Sequence, residues 1–265
     1  IYLSEILITL MNIHFFASFR CNQHVQTLKQ IRWLCVITYT NYDFLLLNLC
    51  ENLKNNQGKL SADDLEPGIY YRENGTVCNT GVFQLNQNLN ELPMIDRDLT
   101  KWKLYSEKNG NYSRLPGTYT MAARDCWHHK CTFCSWTTLY PRYLVRSPEK
   151  LLDEIGVLIE KYGVKEIMDD SGAFPTGKWL RTFCHGMIKR GYHKKVIMDC
   201  NMRFGALSYE DYRLMKQAGF RFVLFGLESA NQSTLDRIQK CEKVEDMVES
   251  CKLAKKAGLS PHITI

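Results

Sequence analysis

No stretch of this 265-residue chain stays apolar for long. Ile6 to Phe19 comes nearest, but Thr9, Asn12, His14 and Ser18 interrupt it, and it falls short of the roughly 20 residues needed to cross a bilayer. No basic segment precedes it, which argues against a secretory signal and for a core element of a soluble domain. A basic stripe is also missing. The net charge of +6 comes from 34 basic and 28 acidic residues scattered along the chain, whereas nucleic-acid phosphates call for clustered cations. Nor do the eleven cysteines show the even count and regular spacing of a disulfide framework, so a reduced, cytoplasmic protein is expected. Cys21, Cys35, Cys50, Cys78, Cys184, Cys200, Cys241 and Cys251 read as small buried hydrophobes. What remains is a globular protein, 45% hydrophobic, large enough to bury a core.

From about residue 150 one unit recurs: an amphipathic helix, a glycine, then a β-rich run. Pro148 to Tyr162 carries Leu151, Leu152, Ile155, Leu158 and Ile159 at helical spacing, with Ser147 as N-cap, Pro148 at the first helical position and Gly163 as the stop. Gly191, Gly219 and Gly258 repeat that punctuation ahead of Lys195 to Cys200, Phe220 to Gly226 and Leu259 to Ile265. With Val164 to Asp169 and an earlier strand at Gly117 to Asp125, at least five parallel strands in βα units are expected. Residues 51–115 read as a linker with a small hairpin on the Asn74-Gly75 turn, and Leu92 to Leu99 as extended. Residues 1–50 show no clear period and read as the remnant of an N-terminal domain, and 116–265 as the main α/β domain. Strand-like sequence at Ile265 leads us to expect a fragment at both ends.

Cys126, Cys131 and Cys134 lie within nine residues, with no fourth cysteine beside them. Three thiolates are what an iron–sulfur cluster with one open iron requires, whereas structural zinc is normally closed by four ligands. Zinc remains the alternative, with His128 or His129 as fourth ligand in a binding or scaffold module. A relative that folds without any cofactor is a third reading. In parallel βα folds, ligands bind beyond the carboxyl ends of the strands. Those ends here deliver the cysteine loop, Asp169 and Asp170, Arg203, and Glu228. Such a rim suits a zwitterionic nucleotide, with acids for an ammonium, Arg203 for a carboxylate and Glu228 for ribose hydroxyls. Phe133, between two of the cysteines, would keep water out. The plainer alternatives are that the aspartates cap a helix or face solvent, and that Arg203 and Glu228 pair with each other.

These residues resemble the radical S-adenosylmethionine superfamily, and within it the cobalamin-associated branch that includes anaerobic magnesium-protoporphyrin ester cyclase-like proteins. The likeness rests on Cys131-Thr132-Phe133-Cys134, on Asp169-Asp170, and on Phe225-Gly226-Leu227-Glu228-Ser229-Ala230-Asn231. Leu235-Asp236 with Ile238 and Lys240, and the segment from Glu91 to Leu99, extend it. It implies a partial (β/α)6 TIM-like barrel over 116–265, truncated at the C-terminus. It further implies a 4Fe-4S cluster on Cys126, Cys131 and Cys134, and S-adenosylmethionine contacted by Asp169, Asp170, Arg203 and Glu228 and cleaved to a 5′-deoxyadenosyl radical. A small-molecule substrate and an electron donor such as ferredoxin or flavodoxin would be the partners, with no nucleic acid or membrane among them. The chain departs from the family pattern in having four residues rather than three between Cys126 and Cys131. It also lacks the Asp-x-His-x-x-Gly signature, so cobalamin is expected at most in a full-length parent. A later Gly-rich segment and a last barrel strand are expected beyond its end.

Overall fold

The computed structural model describes residues 36–38, 42–82, 88–108, 112–140 and 142–265. The apolar run Ile6 to Phe19, Cys21 and Cys35 lie outside the described residues. Two compact units result, one from the described residues of Ile1–Gln87 and Thr138–Pro141, the other from those of Asn88–Thr137 and Arg142–Ile265.

In the first unit, strands β1 (Val36–Thr38), β2 (Ile69–Glu73) and β3 (Thr76–Asn79) form an antiparallel sheet, and helix α1 (Tyr42–Asn55) lies between β1 and β2 in sequence. The β2–β3 hairpin closes on Asn74 and Gly75, both left-handed, as a two-residue turn of primed type demands. Leu45, Leu49, Leu65 and Ile69 form its core.

The second unit is built on a five-stranded sheet in the order β10-β9-β8-β7-β4, every pair parallel. The strands are β4 (Gly117–Thr120), β7 (Glu166–Asp169), β8 (Ile197–Met202), β9 (Phe220–Gly226) and β10 (Ser260–Thr264). Helices α2 (Pro148–Glu160), α3 (Gly177–Lys189), α4 (Tyr209–Gln217), the short α5 (Gln232–Arg237) and α6 (Val244–Lys256) connect them. This is the α/β alternation expected of a partial TIM-like barrel. Helix α2 starts as its sequence foretells: the Ser147 hydroxyl accepts from the Lys150 amide at 3.2 Å, with Pro148 following. Gly219 is needed twice over. Its φ is +94°, and a Cβ there would meet the His193 backbone at 3.1 Å. Behind the sheet, Phe174, Trp179, Phe183 and Phe220 pack edge-to-face or stacked, with Trp179 and Phe183 parallel at 5.4 Å. Each fully buried ring contributes about 1.5–3 kcal/mol by leaving water.

Three expectations differ from the structure. Gly117 to Asp125 is two strands, because β5 (Ala123–Arg124) leaves the main sheet to pair with β6 (Leu144–Val145). The amides of Ala122 and Ala123 donate to the side chains of Asp169 and Ser171 and so take no part in the main ladder. Leu92 to Leu99 is pinned, not simply extended. Arg97 is buried, donates to the Tyr119 carbonyl at 2.8 Å and pairs with Glu154 at 3.0 Å. Cys241 is exposed, and of the cysteines read as hydrophobes only Cys184 and Cys200 are fully buried among the described residues.

Candidate functional site

The carboxyl ends of the parallel strands open on a cleft of about 270 Å³. Cys126, Cys131 and Cys134 all line it, and none is in a disulfide. The loop that carries them leaves β5 through Asp125 and is fastened at its far side to the end of α5. There the Thr132 amide donates to the Ile238 carbonyl at 3.0 Å, and a ring nitrogen of His128 lies 2.8 Å from the Gln239 carbonyl. Asp125, His129, Glu228, Gln239 and Cys241 all have left-handed backbones at or beside the cleft, with φ from 51° to 73°. Non-glycine residues seldom hold that conformation unless the surroundings enforce it, and such strain gathers at functional sites.

The structure separates the two aspartates at the end of β7. Asp169 is fully buried and does not line the cleft. Its carboxylate accepts from the Thr120 hydroxyl (3.0 Å), the Ala122 amide (2.8 Å), and the Ser171 amide (3.2 Å) and hydroxyl (2.5 Å). Burial raises its pKa to about 6 in spite of those donors. Asp170 faces the cleft. Burial raises its pKa too, opposed by a hydrogen bond from Asn201, another cleft residue whose amide also donates to the Ser171 carbonyl at 3.0 Å.

Arg203 and Glu228 both reach the cleft but do not pair with each other. Lys240 Nζ lies 3.3 Å from Glu228 Oε1 and 3.8 Å from Glu242 Oε2, while Arg203 pairs with Glu242 Oε1 at 3.3 Å and donates to the Lys240 carbonyl. The Arg203 guanidinium also sits over the Trp127 ring, 5.3 Å from its centre. Burial raises the Cys131 thiol, and the two nearby cations pull it back toward thiolate. Gly226 gives the Glu228 carboxylate room, since a Cβ there would stand 2.7 Å from Oε1.

A family model described as the radical SAM superfamily matches residues 123–265, more than half of the chain. The chain belongs to the radical SAM superfamily. It is 29% identical over 193 residues to an uncharacterized methyltransferase of Pyrococcus horikoshii, covering 72% of this chain and 40% of that protein. It is 27% identical over 240 residues to the anaerobic magnesium-protoporphyrin IX monomethyl ester cyclase of Cereibacter sphaeroides, covering 88% and 38%. Among solved structures, the cobalamin-dependent S-adenosylmethionine radical enzyme OxsB, with aqua-cobalamin and S-adenosylmethionine bound, superposes with a TM-score of 0.69 at 18% identity, over 99% of this chain and 38% of that one. The radical S-adenosylmethionine methyltransferase TsrM of Kitasatospora setae gives 0.67 at 14%, over 86% and 45%. The chain therefore spans about two fifths of the curated relatives' length, and the solved structures share its fold.

Sequence reading missed the carboxylates that support the cleft from behind. Asp125 and Glu242 lie in no motif: Asp125 is met by His129 only because the cysteine loop folds back on itself, and Glu242 by Arg203 only because segments far apart in sequence are brought together. One further fact bears on metal chemistry. Among the described residues, no three Cys, His, Asp or Glu side chains converge closely enough to surround a single ion.

Proposed function

We propose that this chain carries the core of a radical SAM enzyme, with Cys126, Cys131 and Cys134 holding a 4Fe-4S cluster whose remaining iron takes S-adenosylmethionine. The observation that supports it best is the cleft itself, where three free thiols from one loop meet a polar rim built from three other strand ends. The donor set fits the group. Thiolates on a cube bind separate irons at its corners and so need not converge on one point, as zinc ligands must. The bound cluster and nucleotide would supply reductive cleavage to a 5′-deoxyadenosyl radical, which abstracts hydrogen from a small-molecule substrate.

The chain's own residues bind and orient. Asp170, steadied by Asn201, receives the ammonium of the methionine moiety, and Arg203 and Lys240 meet its carboxylate. Glu228, held by Lys240, accepts from the ribose hydroxyls. Asp169 acts from behind as a positioning residue, tying the end of β7 to the start of the cysteine loop. Exposed Phe133, between two of the thiols in the cleft, limits water at the reacting centre. An electron donor such as ferredoxin or flavodoxin would deliver the reducing electron. Cobalamin is proposed only for a longer parent, because the Asp-x-His-x-x-Gly signature is absent from these residues. Among the described residues no helix is long and apolar enough to cross a membrane.

The zinc alternative would draw on the free ring nitrogen of His128 or His129, whose other nitrogens face the Gln239 carbonyl and Asp125, but among the described residues no three Cys, His, Asp or Glu side chains converge on one point as zinc requires. Purification without oxygen, followed by iron and sulfide analysis and incubation with reductant and S-adenosylmethionine, tests the proposal. A brown protein that releases 5′-deoxyadenosine is expected. A colourless protein holding one zinc per chain would overturn it.

A further inference from the structure

The cysteine loop is one residue longer than the family pattern, with Trp127-His128-His129-Lys130 between its first two thiols, and the structure shows where that length goes. His129 turns back with φ +51°, and its Nδ1 pairs with Asp125 Oδ2. Asp125 is fully buried, itself left-handed at φ +73°, and directly precedes Cys126. Its other oxygen has no hydrogen-bond partner among the described residues, so His129 is the only side chain seen to compensate that carboxylate. An uncompensated buried carboxylate is costly, which is a strong reason for the pair to stay closed.

The foot of the loop is fixed independently. A Cβ on Gly172 would stand 3.1 Å from the Asp125 carbonyl carbon and 3.3 Å from Cys126 Cβ, so the loop after β7 presses on both residues. Ser171 Oγ, which takes the Ala123 amide at 2.8 Å and donates to Asp169 at 2.5 Å, continues the support downward. His128 and Thr132 hold the far side, as described above. Trp127 and Lys130 are then the only residues between Cys126 and Cys131 without a described hydrogen bond to the scaffold.

We infer that Asp125 and His129 form a brace that folds the longer loop back on its own base and so holds Cys126 in register with Cys131 and Cys134. This rests on the cluster assignment proposed above, and it assigns the pair a positioning role, since neither residue is required to touch the cluster. The brace turns the departure from three-residue spacing into a built feature of this chain.

The test uses the protein purified without oxygen, reading iron per chain and the rate of iron loss to a chelator. Asp125→Ala, His129→Ala and the double variant are compared, with circular dichroism to confirm folding. A brace needs both partners, so each single variant should lose iron several-fold faster than the parent, and the double variant no faster than the worse single. His129→Gln, which can still donate to Asp125, should recover part of the loss. Deleting Lys130 in the His129→Ala background, which restores three-residue spacing, should recover more. Parental iron retention in His129→Ala would overturn the inference, as would a double variant whose effects simply multiply. If His129→Ala loses iron while Asp125→Ala does not, His129 is a ligand and the brace is wrong. Should the parent itself hold no cluster, the functional reading beneath falls, and the brace with it.

Discussion

Strand β7 begins on one carboxylate, Glu166, and ends on another, Asp169, and the two are kept in opposite ways. Glu166 Oε1 pairs with Arg221 at 2.6 Å, and its Oε2 accepts from the Ser113 amide and hydroxyl and the Arg114 amide. Although burial opposes it, these partners hold Glu166 below the usual carboxylate range. Arg221 also reaches Asp199 at 2.8 Å, and burial together with the neighbouring Glu166 raises Asp199 to about 7. One cation thus serves two acids. Asp169, at the other end, has only neutral donors. The base of the sheet spends its cation on holding itself together, whereas the cations at the rim, Arg203 and Lys240, stand in the cleft beside a thiol. The same strand supports a structural charge cluster at one end and a wall of the cleft at the other.

The sharpest way to break that contrast is at the rim. Cys131→Ala or Cys134→Ala should abolish the cluster, since two thiolates do not hold a cube, while the denaturation midpoint of metal-free protein stays near the parent's. Full iron content in either variant would refute the ligand assignment. Next comes the base. Arg221→Ala leaves Glu166 and Asp199 buried without their cation and should cost about 3 kcal/mol of stability in urea unfolding, yet the protein that remains folded should load iron normally. Asp169→Ala strands four donors and should cost about 1–3 kcal/mol. Unlike Arg221→Ala it should also slow cluster loading, because two of those donors lie at the root of the cysteine loop.

The smallest expected effect is on pH. Glu166, held low, contributes stability that is present above its unfolded pKa and lost as acid protonates it. Asp199, held high, works the other way. The folded state keeps its proton above the unfolded pKa near 4, so stability falls as pH rises from about 4 toward 7. A decline on the order of 1 kcal/mol across that window is expected in unfolding midpoints, and Asp199→Asn should shrink it, leaving the part between about 4 and 6 that Asp169 contributes.

Most of the scaffold was legible in the sequence because its signals are local. Ser147-Pro148 starts α2, Gly163 stops it, and the run Phe220–Gly226 is one strand. The cysteine loop and the polar strand ends were legible for the same reason. What was hidden depends on direction or distance. Asp169 and Asp170 are neighbours, but successive side chains leave a strand on opposite faces, so one is buried and the other lines the cleft. Arg97 reaches Glu154, and Arg203 reaches Glu242, across separations that no short motif spans. The small break between β4 and β5 was missed because side-chain acceptors, rather than a turn residue, end the ladder there.

Gly172 carries a mechanical consequence. Because a Cβ there would stand 3.3 Å from Cys126 Cβ, the loop that carries the acid at 170 packs directly against the residue that carries the thiol at 126. On the proposed function, a nucleotide that grips Asp170 would therefore press on the foot of the cysteine loop, and its seating would be coupled to that of the cluster.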